Sequence, residues 1–128
     1  MITRVPALEF IRSKAGRYCN ADSSVEVLIR PYRYGIALEI HGPRESRFLG
    51  VVGVHGEGLE CFALGGLPNV VHFTGRLERV AQSGPDGRIE FNSEVAQLSL
   101  TLSFVGLSVT FEYGVGSSIK GSFALLKA

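Results

Sequence analysis

The chain of 128 residues predicts a predominantly antiparallel α+β domain, with seven to nine strands and one helix near residues 69–82. Three observations carry this. Residues 96 to 113 alternate strictly between apolar and polar positions, the signature of strands with one wet face. Turn residues (Gly-Pro, Asp-Gly and Gly-Gly pairs) punctuate the chain at short intervals. Between them, Val70, Phe73, Leu77, Val80 and Ala81 recur at helical spacing. The same punctuation is compatible with an all-β barrel or sandwich, which stays open as the alternative.

Length and composition set the frame. The length suits one domain over residues 1–128. Hydrophobic content of 45% and a charged fraction of 20% argue against wholesale disorder. Thirteen basic against twelve acidic residues give a net charge of +1, without the basic excess of a nucleic-acid binder. Cys19 and Cys61 lack a CxxC spacing and read as two buried or half-buried thiols. Charges at Arg4, Glu9, Arg12 and Lys14 interrupt the N-terminal segment, which therefore does not resemble a signal peptide. No apolar run reaches the length of a membrane span, so the expected compartment is the cytoplasm.

Taken in order, residues 1 to 10 alternate loosely, and Pro6 would confine a strand there to a sheet edge. Residues 11 to 24 read as an irregular connection. Val25, Val27 and Ile29 make a strand, a loop follows over residues 31 to 35, and Ile36, Leu38 and Ile40 make its hairpin partner. Runs at residues 48–54 and 59–64 add two strands. The 69–82 helix would end at Ser83-Gly84-Pro85, although Gly75 lowers its propensity and Val71, Phe73, Gly75 and Leu77 also share a strand parity. Ile89 and Phe91 make a short strand. A reversal at Val105-Gly106 would set Phe104 opposite Leu107, Leu102 opposite Val109 and Leu100 opposite Phe111. A two-residue turn led by Val105 asks a β-branched residue for a positive φ, so a longer loop or a turn using Gly106 alone is the alternative. A last strand carries Ile119, Phe123 and Leu125 on one parity.

Motifs for catalysis are absent from the string. There is no G-x-S-x-G elbow, and His41, His55 and His72 fall in separate elements without HxH or HExxH spacing. The glycines from Gly50 to Gly58 lack the lysine and following helix of a phosphate loop and read as relief within strands. The chain therefore reads as non-enzymatic, with no cofactor and no metal site.

Two stretches suit binding. Arg30, Tyr32, Arg33 and Tyr34, with Arg44 and Arg47 in the next turn region, combine cations and aromatic rings as interface anchors do. Ser99, Thr101, Ser103, Ser108 and Thr110 form an almost uncharged strand face without the lysines that commonly guard one. The expectation is a protein-binding module acting through one of these, with another protein as partner and a homodimer as a further arrangement. A single-stranded nucleic acid on a barrel, or a small ligand in a sandwich, are the alternatives.

Residues 68 to 126 resemble small cytoplasmic immunity proteins of bacterial toxin systems. N-V-V-H-F-T-G-R-L-E-R-V-A-Q as a helix, the short G-R-I-E-F-N-S-E segment and the strands L-S-L-T-L-S-F and L-S-V-T-F-E-Y carry the resemblance. It implies a non-enzymatic protein that blocks a toxin or secreted effector by direct contact. Separately, N-V-V-H-F-T-G-R-L is similar to the opening strand of OB-type single-strand-binding proteins, which implies a strand there and a barrel. The near-neutral charge counts against phosphate binding on such a barrel.

Overall fold

Period-two alternation leaves each strand with an apolar face, and ten such strands bury those faces together by closing into one barrel. A computed structural model describes residues 6–33, 35–42, 47–64, 70–79, 84–93 and 97–128. It contains α1 (Pro6–Ser13), β1 (Gly16–Cys19), β2 (Glu26–Tyr32), β3 (Gly35–His41), β4 (Arg47–His55) and β5 (Gly58–Leu64). β6 (Val71–Arg79), β7 (Gly87–Ser93), β8 (Leu98–Val105), β9 (Ser108–Val115) and β10 (Ser118–Lys127) follow. Each strand pairs antiparallel with its neighbours in sequence, and β1 meets β10 to close the ring. The architecture is thus the barrel alternative, with ten strands rather than seven to nine. No helix among the described residues is long and apolar enough to cross a membrane.

The helix lies at the start of the chain, and residues 71–79, expected as a helix, are a strand. Pro6 supplies the first helical position, where its missing N–H costs nothing. Ala7, Phe10 and Ile11 are buried at helical spacing, while Glu9 in the first turn and Arg12 in the last suit the helix dipole. The helix crosses one end of the barrel, packing against β2, β3, β5 and β6. Phe10 meets the Phe104 ring edge-on at 5.8 Å, and Lys14 donates to the Pro85 carbonyl at 2.5 Å. β6 stays extended because β5 and β7 satisfy its backbone on both edges. Tertiary pairing here overrides a helical stripe whose last members, Val80 and Ala81, lie outside the described residues.

Gly75 explains why that strand accepts a glycine. It pairs with Leu59 on one side and Phe91 on the other. A Cβ added to Gly75 would stand 2.6 Å from the Phe91 ring. The ring fills the place of the missing side chain, as the Phe10 ring does over Gly87, where a Cβ would meet it at 2.8 Å. Gly75 and Gly87 are thus seats for aromatic rings, and this part of the interior is packed.

The β8–β9 hairpin forms with its register two residues from the tight reversal. Phe104 faces Val109, Leu102 faces Phe111 and Leu100 faces Tyr113. Val105 and Ser108 pair, so Gly106 and Leu107 form the turn, and Gly106 takes the left-handed conformation (φ 59°) that Val105 would resist. Gly56 and Gly116 begin the β4–β5 and β9–β10 turns in the same way, with φ of 59° and 62°. β2 continues through Pro31 to Tyr32, so its hairpin loop is shorter than expected. In β10 a bulge between Ile119 and Gly121 turns Ile119 outward, away from the face of Phe123 and Leu125, and leaves it 69% exposed.

Candidate binding surface on the outer wall

The expected arginine–tyrosine site is divided between the ends of the barrel. Arg30, Tyr32 and Arg33 are exposed at the β2–β3 tip, beside the end that α1 covers. Arg47 is exposed at the start of β4, a full strand length away, roughly 20 Å for β3. Tyr34 and Arg44 lie outside the described residues. The hydroxyl row, by contrast, is one surface. Ser99, Thr101 and Ser103 of β8 share the outer wall with Ser108 and Thr110 of β9, and Ser103 faces Thr110 directly. All five are half-buried, and Ser108 Oγ donates to the Val105 carbonyl at 2.7 Å.

A different wall is apolar on its outside. Leu49 and Val51 of β4 face Leu64 and Phe62 of β5 as two cross-strand pairs. Their interior-facing neighbours Val52, Cys61 and Ala63 are buried, so the alternation points these four outward. They are 42%, 51%, 48% and 49% exposed for Leu49, Val51, Leu64 and Phe62. Together they present about 400 Å² of apolar surface, within the range of the largest patch on a typical monomer, which is often functional. His72 of β6 continues the surface, its ring lying 4.7 Å from that of Phe62. The sequence signal for this patch is the run R-F-L-G-V-V-G-V-H followed by L-E-C-F-A-L, apolar on both parities. A strand wet on one face would instead alternate.

Polar groups rim the patch. Glu39, opposite Leu49, stands 3.5 Å from His41. On the other side Glu60 Oε2 lies 3.2 Å from His72 Nε2 and 3.4 Å from His55 Nδ1. Gly53, opposite Glu60, has open space where a side chain would stand, which lets His55 reach across from the strand end. Histidines that are remote in sequence therefore gather on one carboxylate through the pairing of β4, β5 and β6. These contacts are solvent-exposed and contribute little to stability. Among the described residues no group of three or more His, Cys, Asp and Glu is arranged to hold a metal ion.

Both cysteines are free, Cys19 half-buried and Cys61 buried. Burial pushes the Cys61 thiol up to about 12, so it is neutral and unreactive at neutral pH. Glu90, on the outer wall of β7, is held below the usual carboxylate range by hydrogen bonds from Asn92 at 3.0 Å and Arg88 at 2.7 Å.

Covering the β4–β5 patch would release about 10 kcal/mol of gross hydrophobic free energy. Association entropy and side-chain ordering consume much of that. No protein-family model, no curated protein and no solved structure matches this chain.

Proposed function

We propose that the protein acts by binding another protein, without catalysis, through the outer face of β4 and β5. The observation that supports this is the pair of cross-strand contacts Leu49–Leu64 and Val51–Phe62, turned to solvent on a barrel whose interior is already lined with apolar side chains. The patch supplies about half of the ~800 Å² that one partner contributes to a standard interface, with Glu39 and Glu60 as a polar rim. A complementary partner presents an apolar patch edged by basic groups.

The resemblance of residues 68–126 to immunity proteins supplies a candidate, a bacterial toxin or secreted effector met in the cytoplasm. Of the features that carry it, the β7 strand and the β8–β9 hairpin stand, whereas residues 71–79 are a strand.

Purification of the tagged protein from its native host tests the reading. A stoichiometric protein partner should accompany the wild type and the β8–β9 variant Ser103→Lys/Thr110→Lys, and be lost from Val51→Lys/Phe62→Glu. Equal capture by both variants, or loss only from the β8–β9 variant, sinks it. Light scattering identifies a second copy as the partner: a doubled mass that Val51→Lys/Phe62→Glu abolishes would make the face a homodimer interface.

A further inference from the structure

We propose that the barrel end opposite α1 is a binding cup for a small, uncharged molecule that carries a planar apolar ring. This goes beyond the protein-binding reading and does not depend on it.

The two ends of the barrel interior differ. At the helix end, Phe10, Ile11, Tyr18 and Phe104 are all buried. At the other end Val25, Ile40, Ala63 and Phe111 are buried too, but two inward-facing rings, Tyr113 and Phe123, meet solvent. Phe111, Tyr113 and Phe123 share the interior face of β9 and β10, since Tyr113 pairs with the buried Leu100 and Phe123 with Phe111. Yet Tyr113 is 39% exposed and Phe123 half-buried. Neither ring is at a fraying strand end, because each is the sixth residue of its strand.

The seam of the barrel accounts for the exposure. β1 has four residues and pairs with β10 only at Tyr18–Lys127 and Cys19–Leu126. Along residues 118 to 125, β10 has a strand partner on the β9 side alone among the described residues. The wall stops short there, and the inner rings are left accessible. Phe48 of β4 and Leu98 of β8, the strand beside β9, also point inward and remain half-buried.

The lining chooses the ligand. The planes of Phe111, Tyr113 and Phe123 lie within 13° to 27° of one another, with centroids 5.9 Å to 6.5 Å apart. The three centroids thus form a near-equilateral triangle of nearly parallel rings, and a planar ring laid against this cluster gains the offset stacking that aromatic pairs prefer. Gly121 faces Tyr113, and a side chain there would overlap the Tyr113 ring, so that ring is seated against bare backbone. Among the described residues, the inward positions of this end carry hydroxyls, on Ser93, Tyr113 and Ser118, and no charge. None of these described inward side chains offers an anion a counter-ion, so a carboxylate, sulfonate or phosphate held among them would carry a desolvation cost that an uncharged ligand escapes. A mostly apolar lining with a few hydroxyls is the usual chemistry of small-molecule sites.

A matched pair of fluorescent probes tests this. N-phenyl-1-naphthylamine is uncharged, and 1-anilinonaphthalene-8-sulfonate adds a sulfonate to nearly the same ring system. The wild type should give a saturable, blue-shifted enhancement with the neutral probe, one per chain, and bind the sulfonate roughly tenfold or more weakly. Tyr113→Phe should keep the binding. Tyr113→Ala should weaken it roughly tenfold, as should Val115→Arg, which puts a cation on the exposed rim. Phe62→Ser, on the outer wall, should leave it unchanged. If Tyr113→Ala fails to fold by circular dichroism, Val115→Arg decides. Absence of saturable binding, equal affinity for the two probes, unchanged binding in Val115→Arg, or loss in Phe62→Ser each overturns the assignment.

Discussion

The β4–β5 and β8–β9 walls turn similar faces to the interior and opposite faces to solvent. Inside, Val52, Leu59 and Cys61 of the first wall are as fully buried as Leu102, Phe104 and Val109 of the second. Outside, the first carries Leu49, Val51, Phe62 and Leu64, and the second carries Ser99, Thr101, Ser103, Ser108 and Thr110. Both hairpins turn on a glycine with a φ of 59°, Gly56 in one and Gly106 in the other. The difference is therefore one of surface chemistry on a common scaffold. Barrel closure constrains the inner positions of every strand, because each must fill its share of the interior. It leaves the outer positions free. An apolar outer face that the fold does not require is where a partner is to be sought.

The largest expected effect tests the inner half of this comparison. Leu59→Ala and Leu102→Ala should each cost about 2–5 kcal/mol in urea denaturation, because each removes a fully buried side chain. A cost below 1 kcal/mol on one wall alone would mean that the two interiors are not equivalent.

Next comes Cys61, a buried titratable group on the inner face of the β4–β5 wall. Its thiol is raised from 9.0 to about 12 by burial, so the folded state favours the protonated form. The stability this confers is complete below pH 9 and is lost as pH rises from 9 towards 12, by as much as roughly 4 kcal/mol. Cys61→Ala should flatten that alkaline limb relative to the wild type, measured as the difference in urea midpoint at each pH. Identical pH profiles would show that the thiolate reaches water.

Smaller still, Gly56→Ala and Gly106→Ala should each cost about 1 kcal/mol, since alanine resists a positive φ in either turn. Unequal costs would sharpen the comparison by showing that one hairpin relaxes its turn. The smallest stability effects belong to the outer faces: Phe62→Ser and Thr101→Val should each stay within about 1 kcal/mol of the wild type. A Phe62→Ser loss as large as that of Leu59→Ala would make the β4–β5 patch part of the core instead of a surface for a partner.

How much of this was legible in the sequence depended on which physical term decided each element. Strands at Val25–Ile29, Ile36–Ile40, Ile89–Phe91 and on both sides of Gly106 were readable, because one face of each is buried and period two is then unavoidable. The 69–82 segment was not. Its residues satisfy a helical stripe and a strand parity at once, and the choice fell to β5 and β7, which hold Gly75 between Leu59 and Phe91. Helix α1 hid behind Pro6, which reads as an edge-strand residue or as the first residue of a helix. The buried trio Ala7, Phe10 and Ile11 is the spacing that separates the two readings. Of the candidate sites, the hydroxyl row was legible as a face, and the arginine–tyrosine set was divided because residues close in sequence sit at opposite ends of a strand. The β4–β5 patch left a trace, apolar residues on both parities, which by itself equally describes a strand buried on both sides.

The sequence by itself determined local alternation: which residues of a strand share a face, where glycines allow the chain to turn, and that cysteines and histidines form no spaced metal motif. Only the tertiary structure decided which faces are inside, that His55 and His72 meet at Glu60, and that the short β1 leaves β10 partly without a neighbour. The physical reason is that alternation is a property of neighbours along the chain, whereas burial and exposure depend on strands brought together across the barrel. Closure demands two partners for every strand, and the length of β1, which decides how much of the seam is covered, is set by where the chain turns back to β2.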